Sequence, residues 1–265
     1  MLIDKFPQVR GLILDMDGVV WHDSEPIGDL PEIFKGISDM DLKVVFATNN
    51  ATKTVGEYQE KLLGFGVKIQ PEQIITSAEA AANYLKAHFP QGSYVYVVGS
   101  PSLKRVILHK GFQVASEEDF QLANMVVVGL DTSITYDRIR NAALLVRSGA
   151  PFIATNADAT YPTPQGLYPG AGTMVSAIAT ASGQEPLVIG KPFTAMYEHA
   201  FEVLGTTPEQ TFGIGDRLET DVASAQSAGC LAGLVLSGVS TLEEASLWSP
   251  APDLIAKDLS DLLYG

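Results

Sequence analysis

Four short segments of this chain carry residue types and spacings that could do chemistry. The first is Leu14 to Val20, where Asp15 and Asp17 stand two apart at the end of the apolar run Gly11 to Met16. In an extended strand, side chains i and i+2 share a face. Two crowded acids do not both ionise comfortably, so either a cation lies between them or one keeps a proton. A cation would make one carboxylate a ligand, and a retained proton would make the other a general acid. Gly18 then permits a positive-φ turn that leads the chain away.

The second segment, Thr48-Asn49-Asn50, also follows an apolar run. A hydroxyl and backbone N–H groups leading into a helix suit an anion, although the same residue types commonly cap helices. In the third, Lys191 follows the run Pro186 to Gly190, placing one positive charge at a strand end for pairing with phosphate, with Pro192 expected at a first helical position. The fourth, Gly213 to Asp221, sets Asp216 at a strand end and Asp221 in the first turn of a helix, where an acid can also act as a cap. Asp216 supplies a third carboxylate for a hard cation, and Asp221 a fourth behind it. Oxygen-only donors suit Mg²⁺, whereas a zinc site would draw on His and Cys, and the four histidines are scattered.

The elements that position these segments are β-branched runs alternating with amphipathic helices, the pattern of an α/β fold with a largely parallel sheet. Besides those above, runs at 94–98, 125–129, 151–155 and 231–236 read as strands. Stretches at 55–64, 78–88, 136–148, 195–204 and 219–228 read as helices. The four polar segments fall in two groups, 15–50 and 190–221, and open α/β sheets bind ligands beyond the carboxyl ends of their strands. The expected architecture is therefore a Rossmann-like, doubly wound parallel-sheet core made of residues 1–78 and 185–265. Residues 79–184 form an inserted α/β domain.

Composition narrows the function classes. With 17 Lys and Arg against 31 Asp and Glu, a net charge of -14 and no basic run, the chain is ill suited to nucleic acid or to an anionic membrane. The uncharged stretches 159–184 and 222–242 are long enough to span a bilayer. Pro162, Pro164 and Pro169 interrupt the first, and serines and glycines dilute the second. The N-terminus lacks the apolar core of a signal peptide, so a cytoplasmic location is expected. Cys230, the single cysteine, reads as a small buried thiol.

Taken in order, Asp-x-Asp-Gly, Thr-Asn-Asn, Lys-Pro and Gly-Asp-x-x-x-Thr-Asp resemble the motifs of the haloacid dehalogenase-like hydrolase superfamily. Segments Asp15–Trp21, Thr48–Lys53, Phe152–Asp158, Pro169–Thr173, Gly190–Pro192 and Gly215–Val222 resemble its NagD-like, or p-nitrophenyl phosphatase-like, branch. That branch carries a large α/β cap domain. The resemblance implies Asp15 as nucleophile and Asp17 as general acid and base. It implies Mg²⁺ held by the Asp15 carboxylate, the Asp17 main-chain carbonyl and Asp216, with Asp221 orienting waters or Lys191. Thr48, the Asn49 backbone and Lys191 would clamp phosphate. His22, Asp131, Asn156 and Asp158 are candidates for contact with a small phosphate ester, and a homodimer through the cap is compatible with the branch. Two other readings use similar parts: a phosphomutase of the same superfamily, and a phospho-accepting receiver module, which needs only about 120 residues and no inserted domain.

Overall fold

Strands buried on both faces need apolar side chains throughout, and Gly11–Leu14 and Met125–Val128 are buried at every position. They are central or near-central strands of two separate sheets. The computed structural model describes residues 1–163 and 165–265; Pro164 lies outside the described residues. The chain divides into two compact units, one of Met1–Thr48, Val55–Ile75 and Lys191–Gly265, the other of Asn49–Thr54 and Thr76–Gly190.

In the first unit a six-stranded sheet runs in the order Leu254–Ala256, Leu231–Val235, Thr211–Gly215, Gly11–Leu14, Lys43–Thr48, Ile74–Thr76. Relative to the chain this is 6-5-4-1-2-3, the doubly wound order, and it reverses between Gly11–Leu14 and Thr211–Gly215. Those two strands pair in parallel, Leu14 opposite Ile214. Helix Leu30–Asp39 shows how the flanks form. Asp29 caps it by accepting from the Glu32 N–H at 3.2 Å, Pro31 sits in its first turn, and Leu30, Ile33 and Ile37 line its buried face. Each such side chain contributes roughly 1.5–3 kcal/mol by burial.

The second unit has its own five-stranded sheet: Leu187–Val188, Phe152–Ala154, Met125–Val128, Tyr94–Val98, Gln113–Val114. Its strands pair in parallel throughout. Period-2 alternation splits it cleanly, with Val95, Val97, Val127 and Ile153 in one buried cluster and Tyr96, Val98, Val126 and Phe152 in another. A hairpin, Thr160–Thr163 with Gly166–Pro169, is antiparallel.

Several expectations shift. The second unit extends past 184, because Leu187–Val188 pairs with Phe152–Ala154, and it includes Thr76 to Ala78 together with the turn 49–54. Pro192 does not start a helix; its helix begins at Ala195, and the Lys191–Pro192 peptide is cis. The stretch 219–228 opens with a single π-type turn, Leu218–Val222, before helix Ala223–Ser227. Among the described residues no helix is long and apolar enough to cross a membrane.

Candidate active site

Asp15 and Asp216 each follow one of the two strands flanking the reversal of sheet order in the first unit, the place where an open α/β sheet forms its crevice. The Asp15 N–H donates to the Ile214 carbonyl at 2.9 Å, which fixes where the side chain emerges. Asp15, Asp216 and Asp221 each offer an oxygen, and these atoms lie within 4.8 Å of one another. Lys191 is 3% exposed and joins the group: its Nζ donates to Asp15 Oδ1 at 2.7 Å, Asp221 Oδ1 at 2.5 Å and the Ala47 carbonyl at 2.8 Å.

Local backbone explains the convergence. The π-type turn brings Asp221 back so that its Oδ2 accepts from the Arg217 N–H at 3.0 Å, and only a glycine at 215 leaves room for the Asp221 side chain. Gly18 has φ +84°, and a Cβ there would lie 2.5 Å from Asp216 Oδ2. It is glycine for both conformation and space. Asp216 is steadied from the other side, where its Oδ2 accepts from the Val239 N–H at 2.8 Å and its carbonyl accepts from the Ser240 N–H at 2.9 Å. Ser237 Oγ donates to the Gly18 carbonyl at 2.7 Å. In the sequence this loop, 237–240, is marked only by a Ser-Gly-Val-Ser stretch directly after an apolar run.

Burial pushes the Asp15 carboxyl well above the usual carboxylate range; Lys191 opposes this, and Asp221 and Asp216 add to it. Asp216 is pushed up to about 7 by burial and then by Asp221. Burial also works against the Lys191 charge, but Asp15 and Asp221 outweigh it and raise the ammonium pKa. An all-oxygen cluster in which two carboxylates resist ionising fits a hard divalent cation such as Mg²⁺.

The Asp17 carboxylate stands outside that trio. Trp21 Nε1 donates to Asp17 Oδ1 at 2.7 Å, and Trp21 is fully buried, stacked on Tyr58. Tyr58 is a second residue that sequence reading passed over. Burial and then the Asp17 charge raise its phenol pKa well above the ordinary value, against a hydrogen bond with buried Thr48. Trp21→Phe removes the donor while keeping an aromatic ring against Tyr58, at the cost of a small void where the larger indole was buried. Its expected effect is a fall in kcat of about tenfold, the worth of one hydrogen bond to a charged group; steady-state kinetics on esters of poor leaving groups checks it.

A model of the haloacid dehalogenase-like hydrolase family matches residues 12–113, and one described as "HAD-hyrolase-like" matches 188–262. The 5'-nucleotidase YutF of Bacillus subtilis is 34% identical over 88% of this chain and 90% of its own. The chain belongs to the haloacid dehalogenase-like hydrolase family. Among solved structures, the 4-nitrophenylphosphatase of Thermotoga maritima superposes with TM-score 0.90 at 32% identity, over 100% of this chain and 99% of that one. Glycerol phosphate phosphatase Rv1692 from Mycobacterium tuberculosis, in complex with magnesium, gives 0.87 at 33%, over 96% and 76%. Within the haloacid dehalogenase-like hydrolases the chain falls in the p-nitrophenyl phosphatase-like, or NagD-like, branch, and it is a phosphatase.

The remaining site candidates of this haloacid dehalogenase-like hydrolase behave differently. Asp131 is 2% exposed with both oxygens engaged inside the second unit: Oδ1 accepts from the Ser133 N–H and Oγ at 2.9 and 2.7 Å, Oδ2 from Arg138 Nη1 at 2.6 Å. Both Asp131 oxygens thus anchor the turn Asp131–Ser133 and the Arg138 side chain. Asn156 is buried, and its Nδ2 donates to the Asn49 carbonyl; Asp158 accepts from the Asn49 side chain. His22 is exposed in the short strand Trp21–His22. Cys230 is buried, and burial pushes its thiol up to about 12.

Proposed function

We propose that this phosphatase hydrolyses small-molecule phosphomonoesters through a phosphorylated Asp15. An Asp15 oxygen attacks phosphorus, the ester P–O bond breaks, and Asp17 gives its proton to the departing alkoxide. Asp17 then takes a proton from water, the water oxygen attacks phosphorus, and the bond to Asp15 breaks, returning the carboxylate and releasing inorganic phosphate. Thr48, the Asn49 N–H and Lys191 hold the phosphoryl oxygens, where charge must be stabilised. Asp15, Asp216 and the Asp17 main-chain carbonyl, with Asp221 behind them, would hold Mg²⁺, which supplies charge neutralisation and alignment of the ester.

The observation that carries this reading is the Asp15–Asp216–Asp221 cluster bridged by buried Lys191. A second acid, Asp17, is kept out of the cluster and oriented by Trp21. The test is phosphate release with Mg²⁺ across 4-nitrophenyl phosphate, nucleoside monophosphates, glycerol phosphate and sugar phosphates. Steady release from at least one is expected; stoichiometric self-phosphorylation without turnover would overturn it. Asp17→Asn should lower kcat by about 10²- to 10⁴-fold, the usual worth of general acid–base catalysis. The loss should be steepest for alkyl phosphates, whose leaving groups need the proton most.

A further inference from the structure

The turn that follows Thr48 belongs to the second unit and is held within it by side chains remote in sequence. The Asn49 carbonyl accepts two hydrogen bonds, from Asn156 Nδ2 and from Ser77 Oγ, each at 2.7 Å. A carbonyl has two lone pairs, so both are used. Ser77 is fully buried and Asn156 is 4% exposed. Two residues on, the Ala51 carbonyl accepts from Ser100 Oγ at 2.9 Å. The Asn49 side chain is fixed as well: its Nδ2 lies 3.1 and 3.3 Å from the two Asp158 oxygens, while the Asp158 N–H donates to Asn156 Oδ1 at 3.1 Å.

The partners are themselves packed without slack. A side chain at Gly190 would strike Asn49 Oδ1 and the Thr155 carbonyl, and side chains at Gly170 and Gly172 would strike the carbonyls of Asp158 and Ala157. The Gly172 N–H donates to the Asp158 carbonyl at 2.9 Å. Segment 156–158 is therefore a rigid mount rather than a loop free to follow a ligand.

A peptide group is planar with its C=O and N–H on opposite sides. Fixing the Asn49 carbonyl thus fixes the peptide plane on one side of Asn49 and narrows the backbone rotations through which its own N–H, the donor assigned to phosphate, can swing. Backbone donors stabilise a phosphoryl group only if they are aimed before it arrives. We infer that Asn156 and Ser77 are positioning residues for the phosphate-binding turn Thr48–Asn50, acting through the Asn49 carbonyl and not by touching substrate. The sequence pattern that placed Asn156 and Asp158 among substrate contacts is explained by this second role. The inference deepens the phosphatase reading and rests on it.

The experiment uses the full chain with Mg²⁺, comparing wild type, Asn156→Ala and Ser77→Ala in kcat, KM, competitive inhibition by inorganic phosphate, and the rise in Tm on adding Mg²⁺. Loss of aim should weaken phosphate inhibition about 10- to 100-fold in Asn156→Ala, with kcat/KM falling in parallel, because small misplacements of a binding group carry penalties of that size. Ser77→Ala should move the same way by a smaller factor. The Mg²⁺-induced rise in Tm should be unchanged, since Asp15, Asp216 and Asp221 are untouched. If Asn156→Ala does not fold, Ser77→Ala decides the matter. A folded variant whose phosphate inhibition and kcat/KM stay within about twofold of wild type overturns the inference, a change that small being under half of a typical net hydrogen-bond contribution. Loss of the Mg²⁺ response together with activity also overturns it, by marking the residues as merely structural. Failure of the underlying reading looks different: wild type itself would release no phosphate.

Discussion

Asp15→Asn is expected to lower phosphate release by on the order of 10⁴-fold or more, the scale on which loss of a covalent nucleophile is felt. The amide matches the carboxylate in shape but has no lone pair nucleophilic enough to displace an alkoxide from phosphorus. The protein should stay folded, and the reason lies in its neighbours. Lys191 loses one opposite charge but can still donate to the amide oxygen, and it keeps Asp221 at 2.5 Å and the Ala47 carbonyl at 2.8 Å, so no buried ammonium is left alone. Burial disfavours the Asp15 charge, Lys191 favours it, and Asp221 and Asp216 disfavour it again, the balance standing against ionisation. Neutralising it removes that repulsion, so in EDTA the variant should melt at the wild-type temperature or above it. The two readouts separate chemistry from folding. Normal turnover of 4-nitrophenyl phosphate by folded Asp15→Asn would exclude Asp15 as the nucleophile.

How far the sequence led depends on what kind of force places each residue. Asp15, Thr48, Lys191 and Asp216 were legible because each follows an apolar run, and a buried strand announces itself by composition while fixing where its carboxyl end must lie. The loop 237–240 that steadies Asp216 was not legible. Its work is done by backbone N–H groups and serine hydroxyls, which carry neither charge nor periodicity. Tyr58 was hidden for a related reason, since on helix Val55–Gly64 it reads as one more buried aromatic. Very short strands such as Gln113–Val114 escaped. The run 186–190 reads as a strand, but that Leu187–Val188 joins the second sheet depends on Phe152–Ala154 being available to pair with it, a fact of three dimensions that a short run cannot encode. At Asp131 and Asn156 residue type and strand-end position are legible, but the partners that engage them are not: Ser133 and Arg138 for the first, the Asn49 carbonyl for the second, all brought near only by the fold.

The carboxylate cluster also dictates how metal removal should depend on pH. Asp216 is pushed up to about 7 and Asp15 is raised, while the unfolded chain has ordinary carboxylates near 4. A raised folded-state pKa means that the fold prefers the protonated form. The associated stability is fully present below the unfolded value and is lost as pH rises through about 7. Metal-free protein should therefore weaken on this account between pH 4 and 7, the range between those two values. Mg²⁺ binds the ionised carboxylates and so competes with the same protons. At about 100 times its dissociation constant at pH 8 it would add roughly 2.7 kcal/mol, or about 5–10 °C in Tm for a chain of this size. At pH 5, two units below a pKa of about 7, the affinity falls about 100-fold and the gain drops to about 0.4 kcal/mol. Melting curves in EDTA and in MgCl₂ at pH 5, 6, 7 and 8 should thus diverge steadily with pH, and phosphate release in EDTA should be absent throughout. Equal Mg²⁺ shifts at pH 5 and pH 8 would place the metal away from Asp15 and Asp216, and full turnover in EDTA would remove it from the chemistry altogether.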